Sequence, residues 1–276
     1  MVTVEARIVV VASKLDKAGM NILDKLVNCY GFRKTSEVFE NNPVYELDDV
    51  KIVVINSETI YSDYLENHIK AEAVIFASRH KSEKAIPSLL AHVPGNWTKE
   101  ALYGGKPRAV CIAPASLLRE ALLGLIEVQK ERKLDEWYVG LEVTHHGPYF
   151  EKLPVIFVEL GSSEKEWGIS IAGEAVAHAI YRAAFSKKKY QKIAAGFGGP
   201  HYTHFTKDIL ETDIALGHVV PKYVFDQITE KEISMAIDRT LEKVNTVLID
   251  WKGLRSAHRK LVLKVAQERG LEVIKT

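Results

Sequence analysis

The sequence predicts an α/β protein in three layers, α/β/α, with a mostly parallel, partly mixed central sheet. Three observations predict it. Short apolar runs of strand length alternate with longer segments of helical period. The runs are apolar throughout instead of alternating with polar residues, so both faces of the sheet are covered. Strands that alternate with helices build parallel sheets. The 276 residues suit one large domain, and residues 1–276 are read as one.

The elements follow in order. Residues 6–12 (ARIVVVA) make the first buried strand. Residues 17–30 make a helix, with Ile22, Leu23, Leu26 and Val27 on one face and Gly31 as its stop. Residues 51–55 (KIVVI) and 73–77 (AVIFA) are strands. Residues 87–107 are irregular, a long loop or small insertion. Residues 109–113 (AVCIA) are a strand, and Pro114 then opens a helix to about residue 133, because proline suits the first helical turn. Residues 138–144 (YVGLEVT) and 155–160 (VIFVEL) are strands, 171–185 an alanine-rich helix, and 192–197 (KIAAGF) a strand. Helices at 230–241 and 256–270 alternate with strands at 246–250 and 271–275.

Composition sets limits. With 47% hydrophobic and 26% charged residues the chain is globular, not disordered or collagen-like. Lys and Arg number 37 against 36 Asp and Glu, so the total charge of +1 argues for no polyanionic partner by itself. The two cysteines, Cys29 and Cys111, cannot build a disulfide framework or a cysteine-rich zinc site, and a cytoplasmic home is expected. No stretch reaches 18 apolar residues, so no membrane partner is expected. The apolar run near the N-terminus lacks a small-residue cleavage site and reads as a strand, not a signal peptide. Glutamine occurs four times among plentiful Lys and Glu, a hyperthermophile bias.

In open α/β sheets ligands bind beyond the carboxyl ends of the strands. Four predicted strand ends carry polar chemistry: Ser78-Arg79-His80; Thr144-His145-His146 with Glu142; Glu159 through Ser163; and Gly196 through His204 (GFGGPHYTH). Five of ten histidines sit in three of them. Histidine titrates near neutrality and is the commonest metal ligand. Adjacent strand residues point oppositely, so His145 and His146 reach one pocket only if the chain turns between them. His201 and His204 could chelate zinc from a turn, with Glu142, Glu159, Asp208, Asp213 and His218 as further ligands or bases. Each also has a plain reading as a packed or surface side chain. Gly198 and Gly199 either offer free N–H donors or serve a tight turn. No G-x-S-x-G elbow or G-K-[ST] loop is present, so neither an acyl-enzyme serine nor a P-loop is expected.

Local charge differs from the total. Residues 175–207 hold no acidic side chain but carry Arg182, Lys187, Lys188, Lys189, Lys192 and Lys207. This is a basic lip for a polyanion, or a solvated helix end.

Several ordered motifs resemble one family: FASRHKS, HVPGNW, EVTHHGP, VELGSSEKEW, GFGGPHYTHF and GHVVPKY. Over nearly its whole length the chain resembles the archaeal and plant type of D-aminoacyl-tRNA deacylase. The resemblance implies hydrolysis of the ester joining a D-amino acid to tRNA. It also implies a phosphorylase/hydrolase-like fold related to peptidyl-tRNA hydrolase, and an association with zinc. A monomer or small homo-oligomer is expected.

Motif positions and strand ends together assign His80, Glu142, His145, His146 and His201 to catalysis. They assign His145, His146, His201 and His204 to a metal. Ser78, Arg79, Gly198, Gly199, Tyr202, Arg182, Lys187, Lys188 and Lys189 are assigned to the substrate. The water is activated by zinc, or by a histidine or Glu142 as general base with the glycine-loop N–H groups holding the oxyanion. Two rivals stand beside this. A zinc peptidase or amidohydrolase would not need the basic run. A non-catalytic RNA binder would need a stacking platform, which the aromatics do not suggest.

Overall fold

The computed structural model describes residues 2–276. Chain order begins with Val4–Glu5 (β1), Ile8–Ser13 (β2), Lys17–Tyr30 (α1), Arg33–Phe39 (β3), Asn42–Leu47 (β4) and Val50–Ile55 (β5). Ile69–Lys70 (β6), Ala73–Arg79 (β7), Ser88–His92 (β8), Gly95–Asn96 (β9), Ala109–Val110 (β10) and Ala115–Glu131 (α2) follow. Next come Tyr138–Leu141 (β11), Val155–Gly161 (β12), Glu164–Trp167 (α3), Ser170–Phe185 (α4), Lys192–Phe197 (β13) and Phe205–Leu210 (α5). Ile214–Val220 (β14), Glu230–Asp238 (α6), Thr246–Ile249 (β15), Ser256–Glu268 (α7) and Glu272–Lys275 (β16) end the chain.

The apolar runs become strands because both their faces are covered. Every residue of β2 is buried, and so is every residue of β12. These strands centre an eight-stranded sheet ordered β11-β8-β12-β7-β2-β5-β4-β3. Its middle is parallel, while β8 runs antiparallel to β12 and β4 antiparallel to both β3 and β5. Helix α1 starts where the Asp16 side chain accepts from the Gly19 N–H and stops at Gly31 in the left-handed region, φ 82°. Helices α2 and α4 pack closely through small residues. A Cβ on Gly124 would lie 2.7 Å from the Ala179 Cα.

The strands expected as one sheet divide: the one expected at residues 109–113 is shortened to β10, which pairs only with β9, and the rest form two main sheets. β14-β13-β15-β16 is a separate, all-parallel sheet. Helix α2 separates it from the large sheet by packing on β8 and β11 and also on β14. Two features hold α2 there. The Glu242 carboxylate accepts from the N–H groups of Ala115 and Ser116 at its start, 2.9 and 2.8 Å. Buried Arg119 donates to the carbonyls of Ile209, Thr212 and Ile214 at the edge of the small sheet.

The segment 87–107 is not wholly irregular. It contains β8, buried throughout and central to the site. Its flanking prolines, Pro87 and Pro94, mimic a loop signal around a strand of only five residues. The hairpin β3–β4 is also additional to the expected elements. β3 is exposed at five of its seven positions, as an edge strand is, and so lacks an apolar run.

Candidate functional site

A cavity of about 1040 Å³ opens where the two sheets meet, lined by Ser78, Arg79, His80, His145, His146, Glu159 and His201 among others. Five strands deliver the polar groups at its wall and, for His92 and Glu142, buried just behind it. His80 follows β7, His92 ends β8, Glu142 prolongs β11, Glu159 lies inside β12, and His201 follows β13. The segment after β11 is tied to the small sheet. Val143 N–H donates to the His201 carbonyl (3.0 Å) and Thr144 N–H to the Val219 carbonyl (3.0 Å). Thr144 Oγ1 also meets His218 Nδ1 at 3.0 Å. The site is therefore a seam, with His80, His92 and Glu159 from one sheet and His201 from the other.

His145 and His146 do face the same space. His146 has φ 43°, so the chain turns at that residue and the strand alternation ends. Their ring centroids lie 4.4 Å apart, and His92 lies 4.2 Å from His145 and 4.8 Å from His146. The tautomers follow from the carbonyls beside them. His145 Nδ1–H donates to the Val143 carbonyl (2.8 Å), His146 Nδ1–H to that of Gly147 (2.6 Å), and His92 Nδ1–H to that of Val93 (3.3 Å). His145 and His146 thus keep an unshared pair on Nε2, whereas burial opposes charge on His92 but Glu159, its Oε1 3.7 Å from His92 Nε2, raises that ring above the usual imidazole value. The fully buried His92 Nε2 has no hydrogen-bond partner. Nitrogens of these three rings lie within 4.8 Å of one another.

Beside them are two buried carboxylates bridged by His80. Its Nδ1 lies 3.4 Å from Glu142 Oε1 and 3.5 Å from Glu159 Oε2. Its Nε2 meets the Tyr202 hydroxyl at 2.9 Å. Burial works against charge on His80, but the two carboxylates push it up to about 11. Burial likewise opposes ionisation of Glu142, yet His201 and His80 hold it well below the usual carboxylate range. Glu159 is burdened in the same way and is lowered by His80 and His92. Burial and the neighbouring His92 hold His146 down at about 4 and His145 well below its usual value, so both are neutral at pH 7. His201 Nε2 lies 2.9 Å from Glu142 Oε1, and its side chain is 42% exposed to the cavity mouth. That contact lacks hydrogen-bond alignment, so both Glu142 oxygens stay unpartnered.

Glycine makes room for this cluster. A Cβ on Gly161 would sit 2.7 Å from Ser88 Oγ and 2.8 Å from His80 Cβ.

Several expected residues lie elsewhere. His204 is exposed and contacts Thr276 Oγ1 at 3.3 Å, outside the cavity, so it leaves the metal set. Gly198 N–H donates to the Val220 carbonyl (2.8 Å) and Gly199 N–H to Asp250 Oδ2 (3.0 Å). Neither donor is free for an oxyanion, and the turn reading of GFGG holds. Tyr202 does not line the cavity; it supports His80 and stacks on Tyr138, 5.0 Å between centroids.

The basic lip is also displaced. Arg182 pairs with Glu127 (2.8 Å) and Glu120 (3.2 Å). Arg7, just before β2, donates to the Ala184 carbonyl at 2.7 Å. The end of α4 therefore sits at the start of β2, and Lys187, Lys188 and Lys189 lie at the strand-start side, away from the cavity. Ser78 and Arg79 do line the cavity, but Arg79 pairs with Glu58 (2.7 Å) and Ser78 Oγ donates to Asp16 Oδ2 (3.2 Å).

The residue that strand ends did not single out is His92. Its signal was present in HVPGNW, hidden within the segment read as a loop. Glu159, one of several possible ligands or bases in the sequence, joins the cluster from within β12. Ser162 Oγ donates to the Ile86 carbonyl (2.6 Å), and burial pushes the Cys111 thiol up to about 12.

Comparison with known proteins places this arrangement. The family model "D-aminoacyl-tRNA deacylase" matches residues 67–274. The chain belongs to the D-aminoacyl-tRNA deacylase family. It is 43% identical to the D-aminoacyl-tRNA deacylase of Pyrococcus furiosus, over 97% of this chain and 99% of that one. It is 34% identical to that of Methanocaldococcus jannaschii, over 96% and 98%. Among solved structures, a crystal structure of a conserved protein of unknown function superposes with a TM-score of 0.88. That protein is 32% identical, and the match covers 98% of this chain and 95% of the other. Among the described residues no helix is long and apolar enough to cross a membrane.

Proposed function

We propose that this chain hydrolyses the ester of D-aminoacyl-tRNA, releasing the D-amino acid and tRNA in the cytoplasm, with a zinc ion at its histidine cluster. Family membership supports the substrate. One observation carries the site: nitrogens of three imidazoles, His92, His145 and His146, lie within 4.8 Å of one another beside the buried Glu142 carboxylate. That donor set suits zinc, whose catalytic sites take three protein ligands and keep one position open. Each ring's Nδ1–H is already given to a carbonyl, the usual support for a metal-binding histidine. His92, His145 and His146 would hold the ion. When bound, zinc supplies Lewis acidity at a carbonyl and brings a water's pKa towards ~7.

The chain's own groups do the rest. Glu142 is ionised and 2.9 Å from His201 Nε2, so it orients that ring and stabilises its charge. His201 then accepts the proton of the attacking water at Nδ1, as a general base at the cavity mouth. His80, charged between Glu142 and Glu159, keeps both carboxylates ionised and in place. No covalent nucleophile is needed, because an aminoacyl ester is already activated.

Deacylation of matched D-tyrosyl-tRNA and L-tyrosyl-tRNA, with and without a chelator, tests this reading. Loss of the D form alone supports chiral deacylation. Unchanged activity in metal-free protein rejects the zinc role. Metal content of H145A and H146A gives a second readout, expected to fall in both.

A further inference from the structure

The cavity has one wall that the hydrolytic cluster does not use. Leu102 and Tyr103 line it, yet they are 74% and 67% exposed. Large exposed apolar side chains that adjoin one another mark binding surfaces more often than chance surface. Their loop is not loose. The Tyr103 carbonyl accepts from Gly147 N–H at 2.9 Å, and the Gly104 carbonyl accepts from Asn96 Nδ2 at 2.9 Å. Gly104 has φ 79°, and a Cβ there would fall 1.8 Å from the Ile60 carbonyl oxygen. So the backbone is packed down tightly while its two large side chains turn outward. Gly147 directly follows His146, which places Tyr103 beside the histidine cluster.

We infer that Tyr103, with Leu102, is the stacking seat for the terminal adenine of the tRNA, which holds the ester over the histidines. The inference rests on the proposed deacylase reading and names how that substrate is held. Three observations choose this occupant. At about 1040 Å³ the cavity matches the upper end of the ~300–1,000 Å³ range of small-molecule sites, far more than an amino acid needs. Its charged lining includes Glu58, Glu83, Glu100 and Glu164 against Arg79 and Lys81, so it is built for an uncharged nucleoside and not for phosphates. A fixed aromatic face accepts any base by stacking. Tyr61, 54% exposed, lies against the same loop, with its Cδ1 3.2 Å from the position of a Gly104 Cβ, and extends the apolar wall.

The test compares Y103A and Y103F on D-tyrosyl-tRNA, with the uncharged nucleosides adenosine and uridine as competitors. Stacking on one aromatic is worth about 5- to 150-fold, so Y103A should raise KM at least about fivefold while Y103F retains it. Adenosine should compete better than uridine, and Y103A should weaken it. An unmoved KM, or equal competition against Y103A, overturns the inference. So does a dimer that Y103A dissociates in light scattering, because the wall would then be a subunit interface. If the wild type cleaves no D-tyrosyl-tRNA, the deacylase reading itself has failed. Calorimetry with adenosine then decides the seat separately: binding lost in Y103A upholds it, and no binding by wild type overturns it.

Discussion

Substituting Gly161 by alanine tests whether the position of His80 sets the activity. The new Cβ would lie 2.7 Å from Ser88 Oγ, 2.8 Å from His80 Cβ and 2.9 Å from His80 Cδ2. His80 cannot swing aside freely, because Tyr202 holds its Nε2 and two carboxylates face its Nδ1. Relief to ordinary contact therefore displaces the ring, and with it Glu142, by roughly half an ångström. A misplacement of 1 Å costs ~100-fold, so a loss of roughly tenfold in kcat/KM is expected. Overpacking of this kind costs about 1–3 kcal/mol. At about 2–4 °C per kcal/mol the thermal midpoint falls by roughly 2–12 °C. The assay is D-tyrosyl-tRNA deacylation beside a melting curve. H80A and the double variant H80A/G161A complete a cycle. If the two losses simply add, or if G161A folds and retains wild-type kcat/KM, the argument is refuted.

Four further outcomes are expected. E142Q should cost about 100- to 10,000-fold in kcat, the range of general-base catalysis, because Glu142 orients the base His201 and balances its charge, with the fold intact by circular dichroism. H204A should leave activity and metal content within about twofold, as for a surface change away from the site. The triple variant K187A/K188A/K189A should also stay within about twofold on D-tyrosyl-tRNA, because phosphate contacts count only where the tRNA lies. Finally, burial holds His218 near 3 in the fold against 6.5 in the unfolded chain. A depressed pKa contributes stability that is present above pH 6.5 and lost as pH falls towards 3, in all on the order of 5 kcal/mol. At pH 4.5 roughly 3 kcal/mol is gone. H218Q, which cannot charge, should therefore show a flatter fall in urea midpoint between pH 7 and 4.5; an identical fall would exclude His218.

Continuous apolar strands were legible because a run such as IVVVAS has only one economical environment, the middle of a covered sheet. The hairpin β3–β4 was not, since an edge strand need not be apolar. The split into two sheets was not legible either. It depends on α2 packing against β8 and β14 at once, a contact with no local signature. At the site, residue type was informative and orientation was not. His80, Glu142, His145, His146 and His201 meet as expected. Whether His145 and His146 share a pocket depended on one backbone angle at His146. GFGG could not reveal that its N–H groups were already spent on Val220 and Asp250. The basic run misled for a similar reason: charge is written in the sequence, but the end of the sheet it reaches is not.

The rings of His92, His145 and His146 are steadied by main-chain carbonyls, at Val93, Val143 and Gly147. A carbonyl is common to every amino acid. No codon change at those three positions can delete the acceptor, so the orientation of the three rings is inherited with the backbone path. His80 differs, for its outer support is the hydroxyl of Tyr202, and one change to phenylalanine removes it. Drift among relatives should therefore leave the trio's supporting positions free to vary in side chain, while Tyr202 and His80 change together or not at all.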